Sequence, residues 1–377
     1  MSNTITVSNV DIGVCVHSGT YGTAADMLTT SGAALIHASS LTYTVSDNNF
    51  QPRDVGFSNQ ISRVEKLERT VDVTMSCDIS YNGAWAIPLA AFLGSTTASG
   101  VEQTVSGGDY KHVLRYEAES TIGLTMAYLA IEDDKVIEFP TLTVTDVEIS
   151  MDNANVGTVT FTMIGSDLKI NADAVNSASD LDSLSYPTYR AAVLGGGGQC
   201  ANHYFRLADH STGTPLDADD ELEIINYTLS MSRPYQRIFT LKGCDSLKTA
   251  QPLQIGLNQA SMAFTLGSVD SDTFDSIAKW NAGTQAMSEL LLTSPDQIDS
   301  GEYASIKVQC PGMLPASEAP VLGFGSNAEL VQPVVSYQLI TAEESGAAAG
   351  MTDPSNDSYL AFVLIDDVVD NYGSSSA

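Results

Sequence analysis

The sequence predicts a mainly-β protein built as two tandem antiparallel β-sandwich or barrel domains, each with a short flanking α-helix. Three observations predict it. Strand texture dominates: "SLTYTVS", "TVDVTMSCDIS", "TIGLTMAYLAI" and "TLTVTDVEISM" are rich in Thr, Val, Ile and Tyr and alternate with period two. The same texture returns in "ELEIINYTLSM", "RIFTL", "LQIGLNQASMAFTL", "YASIKVQC", "PVVSYQLI" and "YLAFVLI", with turn signals between runs and no crossover helices. Finally, 377 residues exceed one average domain, and "NADAVNSASDLDSLSYPTYRAAVLGGGGQ" is a Ser-, Asp- and Gly-rich separator between the two sets. The expected division is a first domain over 1–180, a linker over 181–198 and a second domain over 199–377.

Each half contributes one helix after its second long strand. The first, 82–94, is apolar and stops at Gly94. The second, 270–283, has Ser271 or Asp272 as N-cap, a face of Phe274, Ile277 and Trp280, and a stop at Gly283. Both are expected to plug an open end of their sandwich. The residues 344–358 read as a hairpin loop between the last two strands, and "NYGSSSA" as a frayed tail.

The chain also echoes itself. Ser150-Met151 matches Ser230-Met231, and "FTMIGSD" from Phe161 matches "FTLKGCD" from Phe239. Weaker echoes lie in "SLTYTVS" and "PVVSYQLI". The plainest reading is a duplicated unit, with the strand pair that ends the first domain resembling the one that opens the second.

Charge narrows the function classes. Against 46 acidic residues stand 16 basic ones, a net charge of −30. Such a surface repels phosphates and anionic membranes, which excludes sequence-specific nucleic-acid reading. It suits solubility equally well, or a wall along which nucleic acid slides without sticking.

Chemistry is sparse. The five histidines (His17, His37, His112, His203, His210) form no HExxH or HxH pattern, and no GxSxG elbow is present. Five scattered cysteines with no CxxC indicate neither zinc nor a disulfide framework, and read as buried thiols made in a reducing cytoplasm. The run "GGGG" (195–198) lacks the Lys-Ser/Thr of a phosphate loop and reads as linker. "EDD" (132–134) and "DADDELE" (217–223) carry hard oxygens suited to calcium but read as solvated turns. No basic-then-apolar leader and no apolar run near membrane length is seen, so neither export nor membrane insertion is expected. The expectation is a non-enzyme without cofactor or metal.

Two β-domains in an acidic chain without a catalytic signature resemble the tail tube (major tail) proteins of long-tailed bacteriophages, here with the tube domain duplicated in one chain. The phrases that carry the resemblance are "SLTYTVSDNNFQPRDVGFSNQISRVEKLERTVDVTMSCDIS", "AWAIPLAAFLG" and "SMDNANVGTVTFTMIGSD" in the first half. In the second they are "NYTLSMSRPYQRIFTLKG", "TFDSIAKWNAGTQ" and "GFGSNAELVQPVVSYQLI". The resemblance implies six-fold rings whose sheets join edge to edge around a hollow bore, stacked into a tube that carries viral DNA. With two domains per chain it implies trimeric, pseudo-six-fold rings. It further implies a virion-tail location after synthesis in the host cytoplasm, with the tail terminator, tape measure and distal tail proteins as partners. In that family a long loop after the first core strand reaches a neighbouring subunit or ring. The matching residues are Asp47, Asn48, Asn49, Phe50, Arg53, Arg63 and Lys66, with Phe50 as apolar anchor and Arg53 as cation, and in the second half Arg233, Tyr235 and Arg237. The alternatives are a structural β-protein of another virion or tail-like particle, and a two-module surface adhesin.

Overall fold

The computed structural model describes residues 2–17, 19–30, 32–50, 65–81, 83–94, 101–103, 110–116, 123–130, 135–153, 155–185, 191–194, 203–238, 250–267, 271–299, 302–316, 320, 323–324, 330–331, 333–341, 348–351 and 359–366. The first half holds β1 (Ser2–His17), β2 (Ala34–Phe50), β3 (Glu65–Asp78), α1 (Ala86–Leu93), β4 (Val101–Gln103), β5 (Tyr110–Arg115), β6 (Gly123–Ala130), β7 (Lys135–Asp152), β8 (Thr158–Gly165), β9 (Lys169–Ile170) and α2 (Ala178–Ser183). The second holds β10 (Tyr204–Asp209), β11 (Ile224–Ser232), β12 (Tyr235–Ile238), β13 (Ala250–Gln254), β14 (Gln259–Leu266), α3 (Ser271–Asn281), β15 (Ala286–Asp299), β16 (Glu302–Pro315), β17 (Gly323–Phe324), β18 (Leu330–Val331), β19 (Val334–Leu339) and β20 (Ala361–Asp366). The fold is mainly β, and the pairings between these strands are antiparallel.

In the first half six strands close on themselves. β1 pairs with β2, β2 with β3, β3 with β8, β8 with β7, β7 with β6, and β6 returns to β1. Alternation decides which way each strand faces. In β8, Val159, Phe161 and Met163 are buried while Thr158, Thr160 and Thr162 face away; in β3, Val71, Val73, Met75 and Cys77 are buried. Helix α1 packs on β7, β1, β5 and β6, and every one of its residues is buried, which its apolar composition permits on all sides. Gly94 stops it at φ 83°, where a β-carbon would clash, and donates its N–H to Ala90 O at 2.9 Å.

The second half repeats this connectivity. β11 pairs with β14 as β2 does with β3, β14 with β19 as β3 with β8, and β16 with β19 as β7 with β8. β15 pairs with β16 as β6 with β7, and β10 with β15 as β1 with β6. The helices fall at the same point, α1 after β3 and α3 after β14. Of the six pairings that close the first half, β1 with β2 is not repeated among the described residues, where β10 meets the chain before β11 at the Arg206–Glu221 bridge and the Leu222 N–H to Phe205 O bond.

The duplication therefore runs through different residues than the strongest echo suggests. Ser150-Met151 and Ser230-Met231 do not occupy equivalent places; β7 and β11 pair with each other, Met151 opposite Tyr227 and Ser230 opposite Glu148. The weak echoes mark the true counterparts, "SLTYTVS" in β2 with β11 and "TVTFTMIG" in β8 with β19. The "FTLKGCD" run, the "GGGG" run, "EDD" and the tail lie outside the described residues.

The segment expected as a linker is tied down where it is described. Helix α2 runs into it from Ala178, with the Ser177 N–H donating to the Asp180 carboxylate at 2.7 Å, and Leu181 is buried beside Gly13. Ala191, Val193 and Leu194 then bridge to Ser80, Val156 and Asn153. Of the expected hairpin loop, Ala348 and Met351 are buried against Met287. The two halves share one core, and a second clasp joins them: β5 of the first pairs with β20, burying a His112 Nε2–Asp366 Oδ1 hydrogen bond at 3.0 Å.

Candidate assembly interface

The joint between the halves is a strand pairing. The second part of β7, Asp146–Asp152, lies antiparallel to β11, Asn226–Ser232, in unbroken register. Around the bulge at Thr145, β7 passes from β6 to β11 on one side while staying paired with β8 on the other; the Thr145 hydroxyl donates to Thr162 O at 3.0 Å and its carbonyl accepts from the Arg233 N–H at 2.8 Å. On one face Val147, Ile149 and Met151 meet Tyr227, Leu229 and Met231, all 2% exposed or less. On the other stand Asp146, Glu148, Ser150 and Asp152 beside Asn226, Thr228, Ser230 and Ser232.

The joint is head-to-tail. β7 pairs not with its own counterpart, β16, but with β11, the counterpart of β2. A joint of this kind leaves one unlike end on each side and can repeat, which an isologous pairing cannot do. The shared sheet then reads β2-β3-β8-β7-β11-β14-β19-β16, four strands from each half.

The family-derived residues divide among three environments. Asp47, Asn48, Asn49 and Phe50 belong to β2, paired with Arg69, Glu68, Lys66 and Glu65, so the expected loop begins only after residue 50. Arg53 and Arg63 lie outside the described residues. Arg233, expected on an assembly loop, is 1% exposed. Its guanidinium donates to Leu93 O at 2.9 Å at the C-terminal end of α1, and sits 4.2 Å from the Tyr116 ring centre and 5.4 Å from that of Phe92. It locks the second half onto the first. Arg237 does the same from β12, donating to Val71 O at 2.9 Å and pairing with Asp72, while Tyr235 is half-buried opposite Gln254.

Sequence reasoning missed the tip beside them. Leu253 on β13, and Ile255 and Leu257 just after it, each two residues apart, are 58%, 61% and 86% exposed. Their spacing gave a strand signal; only exposure distinguishes them from core.

Along the joined stretches of the shared sheet the strands themselves carry acids and no basic residue, although Arg237 from β12 pairs with one of those acids, Asp72. From Ser40–Ser46 through Thr70–Asp78, β8, Asp146–Asp152, β11, β14 and β19 there is no lysine or arginine, while Asp72, Asp78, Asp146, Glu148 and Asp152 are present. The described basic residues sit outside these stretches: Lys66 and Arg69 at the start of β3, Lys111 and Arg115 on β5, Lys135 at the start of β7, Lys169 on β9, Arg206 on β10, Arg233 and Arg237 after β11, Lys279 on α3 and Lys307 on β16.

Reactive chemistry finds little support among the described residues. A cleft of about 370 Å³ where β10 parts from β11 is lined by Leu194, His203, Phe205, Leu222 and Leu292. His203 Nδ1 accepts the Thr293 N–H, and burial lowers its pKa. No group of three potential metal ligands gathers among the described residues, and no helix is long and apolar enough to cross a membrane. Cys15, Cys77 and Cys310 are free and buried, and burial pushes the Cys15 and Cys310 thiols up to about 12. Groups raised in the folded state stabilise fully below their unfolded pKa and lose that contribution as pH rises. Stability should therefore fall from about pH 9 upward, by roughly 1.4 kcal/mol per pH unit for each such thiol, until about pH 12. Chemical unfolding at pH 7, 9 and 10 checks this; a flat profile would contradict it. No protein-family model matches the chain, and no curated protein matches its sequence.

Proposed function

We propose that this chain is a structural protein that assembles head-to-tail into stacked rings forming the hollow tail tube of a bacteriophage, through which the genome passes. The observation that carries the reading is the β7–β11 joint: one chain already contains the head-to-tail contact a ring would repeat. Three copies bring six halves, and at four strands per half the bore is lined by twenty-four strands. Spaced ~4.8 Å apart, they give a backbone diameter of roughly 37 Å before tilt widens it. Short Thr and Ser side chains on that face leave room for a nucleic-acid duplex.

The acidic excess of that face supports the same reading. Carboxylates in excess over basic groups repel phosphates, so a duplex would slide through without binding. Copies of this chain are the principal partners, with the terminator, tape measure and distal tail proteins meeting the tube's ends.

Leu253, Ile255 and Leu257 suit contacts between stacked rings, since an exposed aliphatic cluster is otherwise a solubility cost. Replacing all three with Ser is expected to leave the melting temperature within a few degrees while preventing ring stacking. Electron microscopy checks it, and wild-type tube lengths from the variant would refute the assignment. The parent experiment is negative-stain microscopy of the purified protein across concentration and salt. Rings or tubes with a central hole are expected; a chain that stays monomeric throughout would remove the reading.

A further inference from the structure

Within one chain the donor strand of the joint has a double. In the joint, β11 receives Val147, Ile149 and Met151 opposite Met231, Leu229 and Tyr227. On the first half, the counterpart strand β2 receives the leading part of β1: Asn3, Ile5 and Val7 stand opposite Val45, Tyr43 and Leu41, antiparallel as well. Partners across the sheet fix the correspondence. Leu41 pairs with Met75 and Tyr43 with Val73, as Tyr227 pairs with Phe264 and Leu229 with Met262. Those rows continue through Phe161 and Met163 on β8, and Val335 and Tyr337 on β19. Ile5 thus occupies on β2 the position that Ile149 occupies on β11.

The two strands are held unequally. Ile149 is 1% exposed, whereas Ile5, on the same side of the sheet, is 45% exposed. On its polar side the leading strand is tied by two exposed hydroxyl pairs, Thr4 with Thr44 at 2.8 Å and Thr6 with Thr42 at 3.0 Å. The rest of β1 differs, since Ile12–His17 pairs with β6 as well as lying beside β2. Between the two parts stands Asn9 at φ 53°, a left-handed backbone that Asn tolerates better than most residues and that suits a pivot.

We propose that the β2 edge, Ser40–Ser46, is the acceptor for a second copy of this chain, and that Ser2–Ser8 is a plug that swings out about Asn9 when that copy's second half inserts its own strand. The proposal rests on the tube reading and specifies its ring contact. The occupant is a second copy because the same edge in the second half is filled by the preceding half, and β16 is the counterpart of the strand that fills it. Backbone hydrogen bonds exchange one for one, and the incoming strand covers apolar surface that Ile5 leaves open. Plugging an unpaired edge until a partner arrives also keeps the free chain from indiscriminate strand pairing.

The test is a disulfide lock. Thr6→Cys with Thr42→Cys places two thiols on directly opposed exposed residues, and each single variant controls for the other cysteines of the chain. The oxidised double variant is expected to lose ring formation while the reduced one keeps it, with intrachain cross-linking falling once rings form. Rings from the oxidised lock equal to those of the reduced protein would overturn the plug and leave the tube reading intact. Failure of the reduced double variant and both single variants to form rings would overturn the tube reading and the plug with it.

Discussion

Ile149→Asp is expected to destabilise the protein by about 4 kcal/mol or more, and Ile5→Asp by less than about 1 kcal/mol, although the two isoleucines hold corresponding positions on β11 and β2. The difference follows from surroundings. Ile149 is 1% exposed between the two halves, so a carboxylate there is either buried and charged or protonated at a cost. At Ile5, 45% exposed, the carboxylate keeps its water. Urea denaturation of the two variants measures the gap. Comparable losses would mean that the leading part of β1 is as much core as the joint, and would remove the physical basis for exchange.

The second large effect is expected at Arg233. Arg233→Ala deletes a guanidinium held between Phe92 and Tyr116 and leaves Leu93 O without that donor at the end of α1. A cost of about 3 kcal/mol combines the lost charged hydrogen bond with the cavity under the helix. Arg233→Met restores most of the volume but not the hydrogen bond, and about half the loss should return. Shifts in the denaturation midpoint read both. Because Arg233 belongs to the second half and α1 to the first, the variant should also loosen the halves, seen as faster hydrogen exchange across Asp146–Asp152. An Arg233→Ala protein as stable as the parent would show that the packing around α1 holds without it.

Much of the fold was legible because alternation is a local signal. β8 reads "TVTFTMIG" and its buried positions are every second residue. The first helix is legible from its apolar content, the second from an N-cap and one apolar face, and both from a stopping glycine; Gly94 and Gly283 do lie at positive φ. What escaped was governed by partners distant in sequence. β1 was not recognised as a strand, although it spans Ser2–His17, because its leading part alternates threonine with exposed apolar residues, and nothing local says that β2 will receive it. The strongest repeat pointed to the wrong equivalence, since two strands paired edge to edge face the same demand for buried Met, Ile and Leu and converge on similar letters. Arg233 looked like a surface cation because rarity of basic residues signals use but not place. Its burial depends on Phe92, Leu93 and Tyr116, more than a hundred residues earlier.

The central claim is that the joint inside one chain is repeated between chains until the ring closes. Cryo-electron microscopy of the assembled protein, reconstructed without imposed symmetry, measures this directly. The account predicts three chains per ring, six similar units around an open bore, and at each chain boundary a strand of one copy lying antiparallel on Ser40–Ser46 of the next, in the register of β7 on β11. Rings of another chain number, or boundaries that leave Ser2–Ser8 in place and meet through other surfaces, would contradict it.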